Sequence, residues 1–516
     1  STTVVAGHRG LTVGRLREAS MAQQEVQRLG GAKKLTLADV IAQSIGFMGP
    51  VFSIAFLVPL LVGLNAAGKG AGTAAPLAVL IAAIGVLGLG WIVAQYAKRI
   101  HAAGSIYDYV TDGLGGRIGG ASGYLYYVGI LALGGGILIM IAGTLHDTLM
   151  AEFGFEGIST LLWSIILLVI VAVILYFGVA LSTRAQLVLA MFSIAVVLIF
   201  FITVIIKVGG DNSLSSAFSP SGSPEGWSGV LFGVLYAVLL FTGFETAANL
   251  GEETANPKRV IPKAVLIAVI AIAGFYIIGS YAQVAGYGFS MDALGQNAGA
   301  PLFGLAGPVE DGGFGSVFVR RLVEIVVVLD MLAVLIGCAV ASSRGIFALA
   351  RDERLPGGLS KVSKRGTPMV ASILVIIVFI VIVVLTEFVP SFVAILGPDG
   401  EPALPHYVSM FSWLSTVGGF ALAVIYFLMS VGAFRGLRDH PRKVLVWISA
   451  ILGIAVTGAA IYGAIYNVPS PTIYAIWFGA AVFIVGLIIA FIAKGKATGL
   501  TQFSELTADE QRPQKL

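Results

Sequence analysis

The sequence predicts an all-α integral membrane protein of twelve transmembrane helices, and three observations predict it. Of 516 residues, 57% are apolar and only 11% charged, against about a quarter charged in a soluble globular chain; mean hydropathy is +0.95. Nearly the whole length falls into apolar runs of about twenty residues, the length that crosses a bilayer as a helix. The basic residues alternate between the connecting segments as a membrane topology requires.

Residues 1–38 form a polar arm with six basic residues and no short apolar core, so no cleavable secretory signal is expected. The spans read as 40–64, 74–97, 119–145, 158–180, 186–208, 229–250, 263–286, 319–348, 369–388, 408–433, 443–466 and 471–493. The tail, 494–516, is polar. With the amino terminus inside, cytoplasmic segments carry 27 of the 31 Lys and Arg residues. Only Lys69, Lys207, Arg320 and Arg321 fall on the other side. Both termini are therefore expected in the cytoplasm, and the protein in the cytoplasmic membrane. Of the outer loops, 287–318 is Gly-rich and long enough to cap an entrance, and 389–407 reads as a turn-rich excursion around Gly397-Pro398-Asp399-Gly400.

Several functions are excluded. The formal charge of +4 is spread along one membrane side, which is topology rather than a nucleic-acid surface. Cys338 is the single cysteine, so neither an intramolecular disulfide nor a cysteine metal pair is available. His8, His101, His146, His406 and His440 lie at polar ends or in loops without metal spacing. No phosphate cradle, cofactor site, metal site or enzymatic constellation is expected.

Two stretches break the apolar pattern at membrane depth: Ser44 to Pro50, SIGFMGP, and Phe241 to Pro262, FTGFETAANLGEETANPKRVIP. Irregular backbone survives in hydrocarbon only where it is buried in protein or lines a cavity. A gap in a helix frees N–H groups on one side and C=O groups on the other, which suits a small molecule bearing both charges.

Four stretches carry a family resemblance: SIGFMGP; RIHAAGSIYDYV, Arg99 to Val110; FTGFE with GEETANPKRVIPKAV, Gly251 to Val265; and SSRGIFALARDERLPGGLSKVSKRGTP, Ser342 to Pro368. In this order and spacing the chain resembles the amino acid–polyamine–organocation superfamily of transporters, over roughly residues 36–493. The resemblance implies a five-plus-five inverted repeat (the LeuT-like fold), about 39–208 and 229–433, with extra helices at 443–493. It also implies first and sixth spans broken at the substrate site, and a bundle that rocks between two faces of the membrane.

By that resemblance, N–H groups around Met48 and Gly49 serve a substrate carboxylate, and carbonyls near Ser44, Ile45, Phe241 and Thr242 serve its ammonium. Gly46, Gly49 and Gly243 keep the breaks open, and Pro50 suits the first turn of the resumed helix. Phe241 and Phe244 either gate the pocket or pack. Glu245 is either a substrate or coupling ligand, or a structural carboxylate meeting free N–H groups in the resumed helix. Asp330 has three open roles: a distal substrate amine, proton movement, or a neighbouring polar group. Tyr126 and Tyr127 are pocket candidates by depth.

The family often carries a lysine in its fifth span; the matching position here is Ser193, and with Ser342 and Ser343 it forms the candidate coupling-ion set. Proton symport, exchange and sodium symport stay open, with proton-driven uptake of amino acids leading and an amine or polyamine carrier as the alternative. Glu252, Glu253, Lys258, Arg259, Arg344, Arg351 and Asp352 are candidates for ion pairs across an inner gate. The expected partners are the small-molecule substrate, a coupling proton or cation, and lipid.

Overall fold

The computed structural model describes residues 34–64, 70–100, 104–154, 157–177, 182–394, 396, 401–402, 404–466, 468 and 470–492. Most of the arm, the tail, the turn at 397–400 and residues 101–103 of the second motif lie outside them. Among the described residues the chain is helical, with three isolated β-bridges, and 12 helical segments are long and apolar enough to cross a membrane.

The first span is two helices, α1 (Leu37–Met48) and α2 (Pro50–Val62). Then follow α3 (Ala75–Ala97), a short α4 (Ile106–Leu114), α5 (Gly116–Phe153), α6 (Thr160–Phe177) and α7 (Ser182–Val208). The sixth span is α8 (Trp227–Leu240) continued by a 3-10 segment, Phe244–Leu250. After it come α9 (Pro257–Gly286), α10 (Val317–Arg351), α11 (Met369–Phe388), α12 (His406–Gly436), α13 (Lys443–Ile465) and α14 (Thr472–Ile492).

Helix α1 starts three residues before the apolar run because Thr36 and Asp39 form a capping box. Asp39 N–H donates to Thr36 Oγ1 at 3.4 Å, and Thr36 N–H donates to Asp39 Oδ2 at 2.9 Å. Helices α5 and α10 exceed their hydropathy limits, at 38 and 35 residues, about 57 and 52 Å at 1.5 Å per residue. Backbone bonding carries them past the hydrocarbon into polar ends that a hydropathy window discards.

The two broken spans lie at the centre of the bundle, buried almost throughout, while α6, α7, α11 and α14 turn Ile, Val and Phe side chains outward. Lipid is as apolar as these side chains, so helices associate by close fit rather than by hydrophobic drive. At Gly85 of α3, for example, an added Cβ would overlap Val456 of α13. The loop at 287–318 folds into short helices, Met291–Gly295 and Pro301–Ala306, and sets Phe303 edge-on to Phe56 of α2 with ring centroids 5.9 Å apart.

Candidate functional site

The first break is a single left-handed residue. Gly49 takes φ 52°, ψ 67° between α1 and Pro50, the first residue of α2. An added Cβ would overlap Val334 of α10 and would hold a backbone conformation that L side chains rarely adopt. Gly49 N–H still donates to Ile45 O at 3.1 Å, and Ser53 Oγ donates to Met48 O at 2.8 Å. The peptide groups expected around Met48–Gly49 and Ile45 are thus partly spoken for within the chain. Pro50 has no N–H to satisfy, so the unpaired donors at the start of α2 are those of Val51 and Phe52. Both donate to Asp330 Oδ2 of α10, each at 2.8 Å.

The second break is wider. Helix α8 stops at Leu240, Gly243 takes φ 115°, and the chain resumes as 3-10 helix at Phe244. Glu245 caps its own turn: Gly243 N–H donates to Oε2 at 3.0 Å, while Tyr126 O–H from α5 donates to Oε1 at 2.9 Å. Leu240 O accepts from Tyr276 O–H at 2.7 Å. A Cβ on Gly243 would overlap Phe47, and Ser44 Oγ donates to Phe244 O at 3.1 Å. The two breaks therefore touch. Phe241 packs edge-on to Tyr276 and Phe244 tilts against Tyr426, both fully buried. Tyr127 O–H donates to Gly104 O at 3.1 Å rather than to either break.

Beside the breaks lies a cavity of about 20 Å³, lined by the edge-on rings of Phe52 and Phe411, with Leu239, Val334 and Cys338 among its apolar walls. That is room for water; an amino acid enters only if the walls move. Its polar lining includes the hydroxyls of Thr242 and Ser415, and neither has a hydrogen-bond partner among the described residues. Of the residues expected at the site, Met48 and Thr242 line the cavity. Phe52, Ser53, Cys338, Phe411 and Ser415 line it without having been singled out. For Ser415 the signal was the polar interruption of the tenth span.

The candidate coupling-ion residues are not assembled. Ser193 Oγ donates to Val326 O at 3.4 Å, whereas Ser343 Oγ donates to Val340 O at 2.9 Å. Val326 and Ser342 are sixteen residues apart on α10, about 24 Å of helix. Ser342 Oγ is buried and has no partner among the described residues.

At the end of the bundle where α1 starts, ion pairs tie α10 to the loop after the sixth span. Arg351 pairs with Glu252 at 2.9 Å and Arg344 with Glu253 at 2.7 Å. Tyr107 O–H donates to Asp352 Oδ2 at 2.8 Å and accepts from Arg354 Nε at 2.8 Å. Leu35 N–H donates to Glu253 O, and Ala255 N–H to Leu35 O, both at 2.9 Å, tying the start of the chain to the same loop. Lys258 and Arg259 sit exposed on α9 outside these pairs. Burial pushes the Asp108 carboxyl well up, and pushes Asp352 up to about 6.

The chain is 25% identical to the branched-chain amino acid permease BcaP of Lactococcus lactis subsp. cremoris (strain MG1363), over 65% of this chain and 72% of that one. It is 26% identical to BcaP of Bacillus subtilis (strain 168), over 66% and 76%. It is 27% identical to the vacuolar cationic amino acid transporter 4 of Arabidopsis thaliana, over 67% and 57%. Among solved structures, a manganese transporter of Eremococcus coleocola aligns over 93% of this chain and 98% of that one, with 14% identity and a TM-score of 0.48. The amino acid permease family model matches residues 35–494, the two broken spans and the ion-paired end included, and the chain belongs to that family.

Proposed function

We propose that the protein carries a neutral amino acid with an aliphatic side chain across the cytoplasmic membrane by alternating access, as uptake driven by the proton gradient. The observation that carries this reading is the contact of two helix breaks beside a cavity whose walls are apolar and whose free polar groups are hydroxyls, Thr242 and Ser415. Peptide ends and hydroxyls suit the charged head of an amino acid, and Leu239, Val334 and Phe411 suit its side chain. The family and the BcaP relatives support the substrate class. The basic end of the bundle is the cytoplasmic one in this reading, and its ion pairs form the inner gate. A cavity too small for the substrate fits a carrier closed on both sides.

A second reading, a carrier of cationic amino acids or amines, draws on the buried Asp330 Oδ1, which has no partner among the described residues. Reconstituted vesicles separate the two. Leucine, isoleucine and valine should accumulate when the interior is alkaline, without sodium, and a protonophore should abolish accumulation but leave counterflow. Accumulation of lysine or putrescine instead would establish the second reading, and a sodium requirement would refute proton coupling.

A further inference from the structure

A groove of about 240 Å³ runs between α6 and α11, away from the broken spans, with Ala172, Leu175 and Tyr176 on one wall and Ile373, Ile376 and Ile377 on the other. Both helices face outward: Tyr176 is 51% exposed, and Ile373 and Ile377 each 50%. The groove is mostly apolar, its polar lining being Thr367 at one end and, one turn into α11, Ser372, whose hydroxyl donates to Pro368 O at 2.9 Å. That end lies next to the loop between α10 and α11. Arg365 Cζ stands 4.6 Å over the Tyr176 ring and 4.8 Å over the Phe177 ring, so the guanidinium is held at the mouth by two aromatic faces. Lys361 and Lys364 are exposed in the same loop. Among the described residues none of the three cations is in an ion pair with a carboxylate.

We propose that this groove is a binding site for an anionic phospholipid, with an acyl chain between α6 and α11 and the headgroup phosphate on Arg365, Lys361 and Lys364. A lipid is the only abundant molecule at that depth that is apolar for most of its length and anionic at one end, and basic pockets between membrane helices take such headgroups. A second copy of this chain fits less well. A two-fold interface places the same patch on both sides, which would bring the basic loop near its own image.

Native mass spectrometry of the delipidated full chain, titrated with dioleoylphosphatidylglycerol and with dioleoylphosphatidylcholine, tests the assignment. The anionic lipid should bind at least about tenfold more tightly, and Arg365→Gln should weaken it about fivefold, the equivalent of about 1 kcal/mol per cation near a membrane surface. Lys361→Gln/Lys364→Gln/Arg365→Gln should bind both lipids alike. Ile376→Trp, which fills the groove and leaves the charges, should weaken both. Equal binding of the two lipids to the unaltered chain, or an anionic preference that survives in the triple variant, overturns the proposal. Competition by inorganic phosphate would reassign the cations to a free anion, and dimers lost with Ile376→Trp would give the face to a second copy; either result also overturns it.

Discussion

Asp330 of α10 caps α2, the second half of the first span: its Oδ2 accepts the N–H of Val51, and of the next residue Phe52, at 2.8 Å each. The unpaired donors that a broken helix exposes are here filled by the protein itself. A carboxylate at a helix N-terminus is charge-assisted and favourably placed against the helix dipole. Asp330→Ala strands two buried donors, at about 1–3 kcal/mol each; Asp330→Asn keeps an acceptor and loses the charge. Both variants should melt earlier, Ala more than Asn, and both should depress transport of neutral and cationic substrates alike. Loss confined to cationic substrates would show that the side chain meets a substrate amine instead.

Gly49 should tolerate no side chain. Gly49→Ala places a Cβ into Val334 in a left-handed conformation, so transport should fall to background with the protein still inserted. Gly49→Ala/Val334→Ala removes the overlap and leaves the backbone strain of about 1–3 kcal/mol, so it should recover only part of the activity. Full recovery in vesicle uptake would mean that the break is a matter of space alone.

Glu245 is held by Tyr126 O–H and Gly243 N–H. Tyr126→Phe removes one donor to a buried carboxylate, an interaction of about 1.5–3 kcal/mol when the acceptor is charged. The variant should lose thermal stability in that range and turn over more slowly. Unchanged stability would place the charge of Glu245 elsewhere.

The proposed inner gate should respond to cytoplasmic pH. In the closed arrangement burial raises Asp108 first of all, the neighbouring Asp352 and Glu252 raise it further, and Arg351 and Arg354 oppose them. Arg99 and Arg435 face Asp112, one turn along α4, rather than Asp108. Asp352, raised to about 6, follows the same cause. Opening wets both groups and returns them toward the ordinary range of about 4. The closed gate therefore binds more protons, gains stability as pH falls, and loses that advantage as pH rises through about 6 and above. Counterflow should slow when the lumen facing this end is brought from pH 8 to pH 6, and Asp108→Asn should flatten the response. An unaltered pH profile in Asp108→Asn would exclude it as the sensor.

The fold was legible from the sequence because bilayer thickness sets one length scale and the chain repeats it twelve times. The first break was legible as Gly49-Pro50, a left-handed residue followed by one lacking an N–H. Its occupant was not, since Asp330 is 279 residues from Val51 and nothing local couples them. The match at Ser193 rests on its place along one helix, and that place carries no information on which turn of α10 it meets, the turn of Val326. Ser415 left only a dip in hydropathy, the same trace as the neighbouring Ser409 and Ser412.

Cys338 offers a direct test of where substrate sits. It is the one cysteine in the chain, it is fully buried, and it lines the cavity beside the breaks, as do Thr242 and Ser415. A thiol there reacts only when the carrier opens, and only as the thiolate. N-ethylmaleimide should therefore inactivate transport slowly in membranes, and Cys338→Ala should be active and insensitive. Substrate at saturating concentration should protect, because it fills the opened cavity that the reagent must enter to reach the thiol. Protection by valine or leucine but not by lysine would favour the aliphatic reading. Inactivation that no amino acid slows would mean that the substrate binds away from the two helix breaks.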